Sequence, residues 1–375
     1  MSTDLLVGVY PTLSLPPLAG RRPPRAFPFD RPSLRLTHLG RGAVWLALRA
    51  LGLGPGSRLA MPAYHCGSEV EAARLAGVTV TFYGVDGALR VDEDDLARAA
   101  ADADAAYVIS HFGFPTVAAP PGVPVVEDAA HALFSCDGDQ PIGSRGEAAV
   151  FCPRKSLGVP DGGALLDTSA GSSDGAGRRP PARRIARSLA SLVAGRAALA
   201  PVRPVRRAAS AALARASRAD AAAREGRLAE VVIGEWDLDV ADMEVAASDC
   251  SRVTAWTVGR VDAADIRERR RRNYAALVAE LGPACPEGFR VLPRGVCPLY
   301  LPVMAADRPR AMVELLGRGV RAVEIWPVPH PLLDRGAHRE LEPLHNGLLA
   351  LPVHQDLEPW HVEAVARAAK DVLRP

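Results

Sequence analysis

Apolar side chains recur every three to four positions over residues 42–51 (GAVWLALRAL), the spacing of a helix that buries one face. The run RLAMPA at 58–63 is short and apolar and reads as a strand ending at Pro62. The alternation then repeats. A helix over about 67–76 leads to the strand VTVTFYG (78–84), a helix near 94–103 to AYVISHFG (106–113), and a Pro-rich loop to VPVVEDAA (123–130). Strands that alternate with helices predict a mainly parallel, doubly wound sheet, because parallel neighbours need a crossover long enough to hold a helix. Two further strands, AAVFC (148–152) and GALLD (163–167), close this block with no helix predicted between them.

The pattern changes from about 169 to 227, where Ala, Arg, Gly and Ser dominate; the stretch reads as a flexible insertion followed by one or two basic helices. A solvated, Arg-rich helical face is its ordinary reading, with nucleic acid or anionic lipid as the alternatives. After it, 262–281 reads as a long helix, and VCPLYLPVM (296–304), RPRAMVELLGRGV (308–320) and RAVEIW (321–326) as a β-α-β unit. A last helix is expected to start near Glu358, after LPVHQDL. These boundaries divide the chain into an N-terminal arm (1–35), a large domain (36–235) that includes the basic insertion, and a small C-terminal domain (236–375).

The 375 residues carry 45 basic and 43 acidic side chains, a net charge of +2, so the whole chain gives no case for nucleic acid and any basic character is local. No apolar run reaches the roughly 18 residues of a membrane span, and Asp4, Pro11 and Pro16 make the N-terminus a poor secretory signal, so a cytoplasmic protein is expected. The six cysteines form no CxxC pair and no zinc spacing, which predicts reduced thiols and no metal.

Two residues stand in contexts that carry chemistry. Asp128 ends the apolar strand VPVVED, and open α/β sheets bind ligands beyond that end of their strands. Lys155 follows in FCPRKSLGVPDGGAL, where a short strand runs into a turn rich in Gly and Pro that can present a side chain to a cleft. A lysine, a carboxylate and an anion cradle are what pyridoxal 5′-phosphate (PLP) requires: the lysine holds its aldehyde, the carboxylate keeps the ring nitrogen protonated, and the cradle takes the phosphate. No GxGxxG follows the first strand, which argues against a dinucleotide-binding dehydrogenase.

The stretch EDAAHA followed by lysine in PRKSLGVPDGG resembles the DegT family of PLP-dependent sugar aminotransferases, of the aspartate aminotransferase fold type. The likeness extends to GAVWLALRALGLGPGSRL, MPAYHCGSEVEAARLAG, HFGFP, the GRGV helix end and LPVHQDL. It implies an α/β fold of type I, with a mainly parallel seven-stranded sheet in the large domain, a small C-terminal α+β domain, and a homodimer. It further implies that Lys155 forms the Schiff base and shuttles protons, that Asp128 pairs with the pyridine nitrogen, and that His131 lies near the cofactor's 3′ oxygen. The phosphate would sit at LGRGAVW, served by Gly40, Arg41 and Gly42, where a helix N-terminus favours an anion. The chain departs from the family in four places. The usual Ser-Gly-Thr is absent at LGRGAVW, Val150 replaces a phosphate-binding Ser, Cys66 stands where an aromatic ring normally stacks, with His65 or Tyr64 as substitutes, and a partner-reaching Asn-Tyr-Arg segment has no counterpart near 236–252. On the substrate side the likeness offers His354, Trp326 and His330. The implied reaction moves an amino group from a donor such as glutamate to a carbonyl acceptor, most simply a keto-sugar of polysaccharide or secondary-metabolite synthesis. Other PLP chemistry, such as elimination or carbon–sulfur cleavage near Cys66, and a non-catalytic scaffold on the same fold are the alternatives.

Overall fold

The computed structural model describes residues 4–14, 22–116, 122–167, 178–224 and 238–373. In chain order its first elements are β1 (Val7–Gly8), β2 (Leu34–Thr37), α1 (Gly40–Ala50), β3 (Arg58–Pro62), α2 (Ser68–Leu75), β4 (Thr79–Tyr83), α3 (Glu93–Ala101), β5 (Ala105–Ile109), β6 (Val125–Asp128), β7 (Cys136–Asp137), β8 (Gln140–Pro141), β9 (Ala148–Phe151), α4 (Pro153–Ser156) and β10 (Gly163–Asp167). Seven of the strands form one sheet in the order β2-β10-β9-β6-β5-β3-β4. The run from β4 through β3, β5 and β6 to β9 is parallel, and β10 pairs antiparallel with both β9 and β2. The α/β fold with a mainly parallel seven-stranded sheet is therefore the one expected. Strands β5, β9 and β10 are buried at every position, which is why they read as unbroken apolar runs with no alternation. Strand β2 was not foreseen, because LRLT offers only one fully buried position to reveal it.

Helix α1 lays Ala43, Val44, Ala47 and Leu48 on the sheet. Its Gly42 faces a later helix, α7 (Val240–Ala247), so closely that an added Cβ would lie 2.2 Å from the Ala246 carbonyl. Glycine there is a packing requirement in its own right, set by the approach of Ala246.

Two long helices, α5 (Ala182–Ala198) and α6 (Arg203–Arg224), pack on one another as a hairpin, with α5 against β1 of the N-terminal arm. The flexible start predicted for this insertion, and its last residues 225–227, fall outside the described residues. The chain continues through α8 (Arg252–Val258), α9 (Ala263–Leu281), β11 (Tyr300–Met304), α10 (Arg308–Gly317), β12 (Val320–Arg321), β13 (Val323–Glu324), α11 (Glu342–Gly347), β14 (Leu348–Pro352) and α12 (Pro359–Val372). The predicted β-α-β unit is altered in two ways. Its return segment splits, β12 pairing in parallel with β1 of the N-terminal arm and β13 joining a three-stranded sheet. In that sheet β14 lies between β11 and β13 and is antiparallel to both. Strand β14 (LLALP) was not foreseen because, buried throughout, it shows no period-2 signal.

Candidate active site

The parallel strands β3, β5, β6 and β9 end together, at Pro62, Ile109, Asp128 and Phe151. Beyond those ends lies a cavity of about 550 Å³, lined by Lys155, Asp128, His131, Gly40, Arg41 and Cys66 among others. This is the crevice in which open α/β sheets bind ligands, and its volume suits a cofactor-sized molecule.

The Lys155 side chain is presented by α4, a single turn started by Pro153 directly after β9. Two anchors hold that turn. Downstream, Asp161 is fully buried and accepts hydrogen bonds from Ser251 N at 2.8 Å and Ser251 Oγ at 2.6 Å, is 2.9 Å from His38 Nδ1, and is bonded by the Thr254 hydroxyl. On the other side the buried Arg270 donates to the Ser156 carbonyl at 2.9 Å and to Gln355 Oε1 at 2.8 Å. Buried charged groups survive only when their hydrogen-bonding capacity is met, and here both fasten the lysine turn to elements from the second half of the chain.

Lys155 Nζ lies 2.9 Å from His131 Nε2. Burial first, and then the Lys155 charge, push His131 well below the usual histidine range, so the imidazole is neutral and Nε2 accepts from the lysine. The His131 ring is stacked between Phe112, at 5.7 Å and 17°, and Trp326, at 5.6 Å and 21°. Trp326 holds this place with φ at +46°, a conformation uncommon for a bulky residue. Asp128 is oriented through both oxygens: Oδ2 accepts from Tyr107 Oη at 2.8 Å and Oδ1 from Ala130 N at 2.8 Å. Enclosure by protein, reinforced by the nearby Glu69 carboxylate, raises its carboxyl to about 6; Lys155 and the two hydrogen bonds restrain that rise.

At the opposite end, α1 begins at Gly40 with Leu39 as its N-cap, which offers no side-chain acceptor to the first-turn amides. Arg41 Nε is buried with no hydrogen-bond partner among the described residues. An uncapped helix N-terminus beside an unpartnered guanidinium has the donor chemistry of an anion site.

Not every expected residue reaches the cavity. His65 stacks on Phe82 at 5.0 Å and bonds the Pro62 carbonyl at 3.0 Å, and the Tyr64 hydroxyl donates to the Ile325 carbonyl at 3.0 Å, so neither lines it and Cys66 alone of that trio does. The Cys66 thiol lies 2.9 Å from both Ser68 Oγ and Glu69 Oε2. His330 is engaged by Glu71 at 3.0 Å and His354 by the Gly8 carbonyl at 3.1 Å; both are buried in packing away from the cavity, and of the three substrate-side candidates only Trp326 lines it. Conversely, Tyr107, Glu69, Arg154, Tyr10 and Tyr300 line the cavity without having been singled out. Arg154 was visible beside Lys155. Tyr107 shows only through the register, which pairs Ile109 with Asp128 on the adjacent strand.

Residues 37–173 match the DegT/DnrJ/EryC1/StrS aminotransferase family, which bears out the resemblance seen in the sequence. The chain is 33% identical over 134 residues to the spore coat polysaccharide biosynthesis protein SpsC of Bacillus subtilis, covering 33% of this chain and 34% of that protein. It is 30% identical over 141 residues to a UDP-N-acetyl-3-dehydro-alpha-D-glucosamine 3-aminotransferase of Acidithiobacillus ferrooxidans, covering 35% and 38% respectively. The matched stretch thus spans little more than a third of either relative. The fold likeness is wider: the PMP-form of the putative sugar aminotransferase Spr1654 from Streptococcus pneumoniae superposes with a TM-score of 0.60 over 90% of this chain and 85% of that one, at 16% identity.

Proposed function

From a chain whose residues 37–173 carry the sequence of the DegT/DnrJ/EryC1/StrS aminotransferase family, we propose a PLP-dependent enzyme that transfers an amino group from a donor such as glutamate to the carbonyl of a keto-sugar, carried as a nucleotide sugar. The observation that supports this best is the convergence of Lys155, Asp128 and the uncapped N-terminus of α1 on one cavity. The residues fit the cofactor: an amine for its aldehyde, a carboxylate for its ring nitrogen, and the orphaned Arg41 Nε with the α1 amides for its phosphate. Gly40 and Arg154 line the same cavity, and neither makes the reading depend on Gly42. Bound there, PLP would hold the donor nitrogen and accept the electrons released when the α-proton leaves.

The remaining work falls to the protein. Lys155 Nζ would take that proton and return it at the neighbouring carbon, and His131, neutral and stacked, aims the amine without competing for its proton. Tyr107 and the Ala130 amide fix the Asp128 carboxylate toward the ring-nitrogen position. Trp326, Tyr300 and Tyr10 form an aromatic wall that would exclude water on the substrate side. Carbon–sulfur or elimination chemistry gains nothing from Cys66, whose thiol is pushed up by burial and by Glu69 and stays protonated. The working unit is taken as a cytoplasmic homodimer, which light scattering of the purified protein tests.

The function is tested by titrating PLP into wild type and Lys155→Ala, following visible absorbance, and then adding glutamate. A long-wavelength band that requires Lys155 and is bleached by glutamate is expected. Absence of any Lys155-dependent band in wild type would leave the scaffold reading in its place.

A further inference from the structure

The α5–α6 hairpin is unlike the rest of the chain in charge. Between residues 178 and 224 there are twelve arginines and one acid, Asp220, whereas the whole chain is nearly balanced. Some of these arginines serve the fold: Arg178 pairs with Glu244 at 2.8 Å and Arg203 with Asp4 at 2.8 Å, while Arg206 donates to the Asp4 carbonyl and covers the Trp360 ring at 5.3 Å. Others do not. Arg183, Arg187, Arg215 and Arg218 are exposed and make no ion pair among the described residues. Set among the arginines are exposed aliphatic side chains: Val193 at 52%, Val202 at 56% and Val205 at 48%, with Trp360 at 39% beside Arg206. Concentrated like charge on a small scaffold is self-repelling, and an exposed valine gains nothing from water, so the two together describe a surface with a partner.

We propose that this hairpin docks the protein on an anionic lipid bilayer, its free arginines meeting headgroup phosphates while Val193, Val202, Val205 and Trp360 enter the headgroup boundary. The bilayer interface is an environment that rewards cation and aliphatic side chains presented by one hairpin. Nucleic acid fits less well. Its phosphates would take the arginines, but residues 178–224 contain no aromatic ring on which a base could stack, and the valines would stay in water. A second copy of the chain fits least, since a symmetric contact sets the same arginines against one another. Among the described residues no helix is long and apolar enough to cross a membrane, so attachment would be peripheral. The inference is independent of the cofactor.

The test is co-sedimentation of the full chain with vesicles of phosphatidylglycerol and phosphatidylcholine, and with phosphatidylcholine alone, at low and high salt, beside a gel-shift assay with duplex DNA. Binding to the anionic vesicles only, lost at high salt, is expected. Each arginine near an anionic surface is worth about fivefold in partitioning, so the quadruple variant R183Q/R187Q/R215Q/R218Q should bind at least roughly a hundredfold more weakly with an unchanged circular dichroism spectrum. V202S/V205S should weaken binding several-fold while keeping its salt dependence. Wild type that ignores anionic vesicles, or that binds DNA in their place, overturns the proposal.

Discussion

The two ends of the cavity are built differently. At the lysine end each group already has its partner: Lys155 has His131, Asp128 has Tyr107 and the Ala130 amide, and the turn between β9 and β10 is tied down through Asp161 and Arg270. At the α1 end the first-turn amides lack a side-chain cap and Arg41 Nε is buried without a partner. One end is complete without a ligand and the other has donors to spare. A reacting centre gains from pre-organisation, because its groups must not reorganise during the chemistry, whereas an anion cradle is satisfied by the anion itself. Substitutions at the first end should therefore cost rate or stability, and at the second end affinity.

The largest effect is expected at the lysine. Lys155→Ala removes the group proposed to hold the aldehyde and move the proton, and turnover should fall roughly 10³-fold or more, while folding is preserved because the side chain opens onto the cavity. Single-turnover assays with saturating PLP and glutamate check this; a loss below tenfold would remove Lys155 from the chemistry. Next is the anchor behind it. Asp161→Ala strips a fully buried cluster of its shared acceptor and leaves His38, Ser251 and Thr254 facing a void, which should cost about 3 kcal/mol in urea denaturation. Hydrogen bonds from His38, Ser251 and Thr254 overcome burial and hold the Asp161 carboxyl below the usual range. A depressed carboxylate gives stability that is present above its unfolded value near 3.8 and is lost as pH falls through the lower folded value, so the stability gap between wild type and variant should narrow as the pH falls below the unfolded value. At the cradle end the change is gentler and of another kind. Arg41→Gln should weaken PLP binding about tenfold, the worth of one charge-assisted hydrogen bond, with rate at saturation unchanged and the salt dependence of binding reduced.

The contrast also separates what the sequence disclosed from what it hid. Lys155 and Asp128 were legible because Asp128 ends β6 and Lys155 follows the end of β9 by four residues, and strand ends are marked by an abrupt switch from apolar to polar residues. The sheet was legible for the same reason, down to strand limits that shift by only a residue or two in β3 and β4. His65, His330 and His354 misled because a histidine looks alike in a chain whether it faces a ligand or closes a packing gap; the Phe82, Glu71 and Gly8 contacts distinguish the latter. The packing demand on Gly42 was hidden because its neighbour in space, Ala246, lies some two hundred positions away. Tyr107 and Arg270 were hidden for the converse reason, since their roles lie in partners on other elements.

The smallest and sharpest test of the comparison is pH, because it reaches Asp128 without a substitution. With its carboxyl raised to about 6, the group is largely neutral at pH 5.5 and ionised at pH 7. A pyridine-ring cation would be held only by the ionised form, so PLP affinity should fall about fourfold over that interval beyond what the free cofactor's own titration explains. The sign for the cofactor-free fold is opposite: a carboxyl raised in the folded state stabilises it at acid pH and loses that contribution as pH rises from about 4 to about 6. Arg41→Gln should keep the wild-type pH profile at lower affinity, and Asp128→Asn should flatten it. A profile that stays unchanged in Asp128→Asn would mean that another group carries the titration and that the lysine end does not recognise the ring through Asp128.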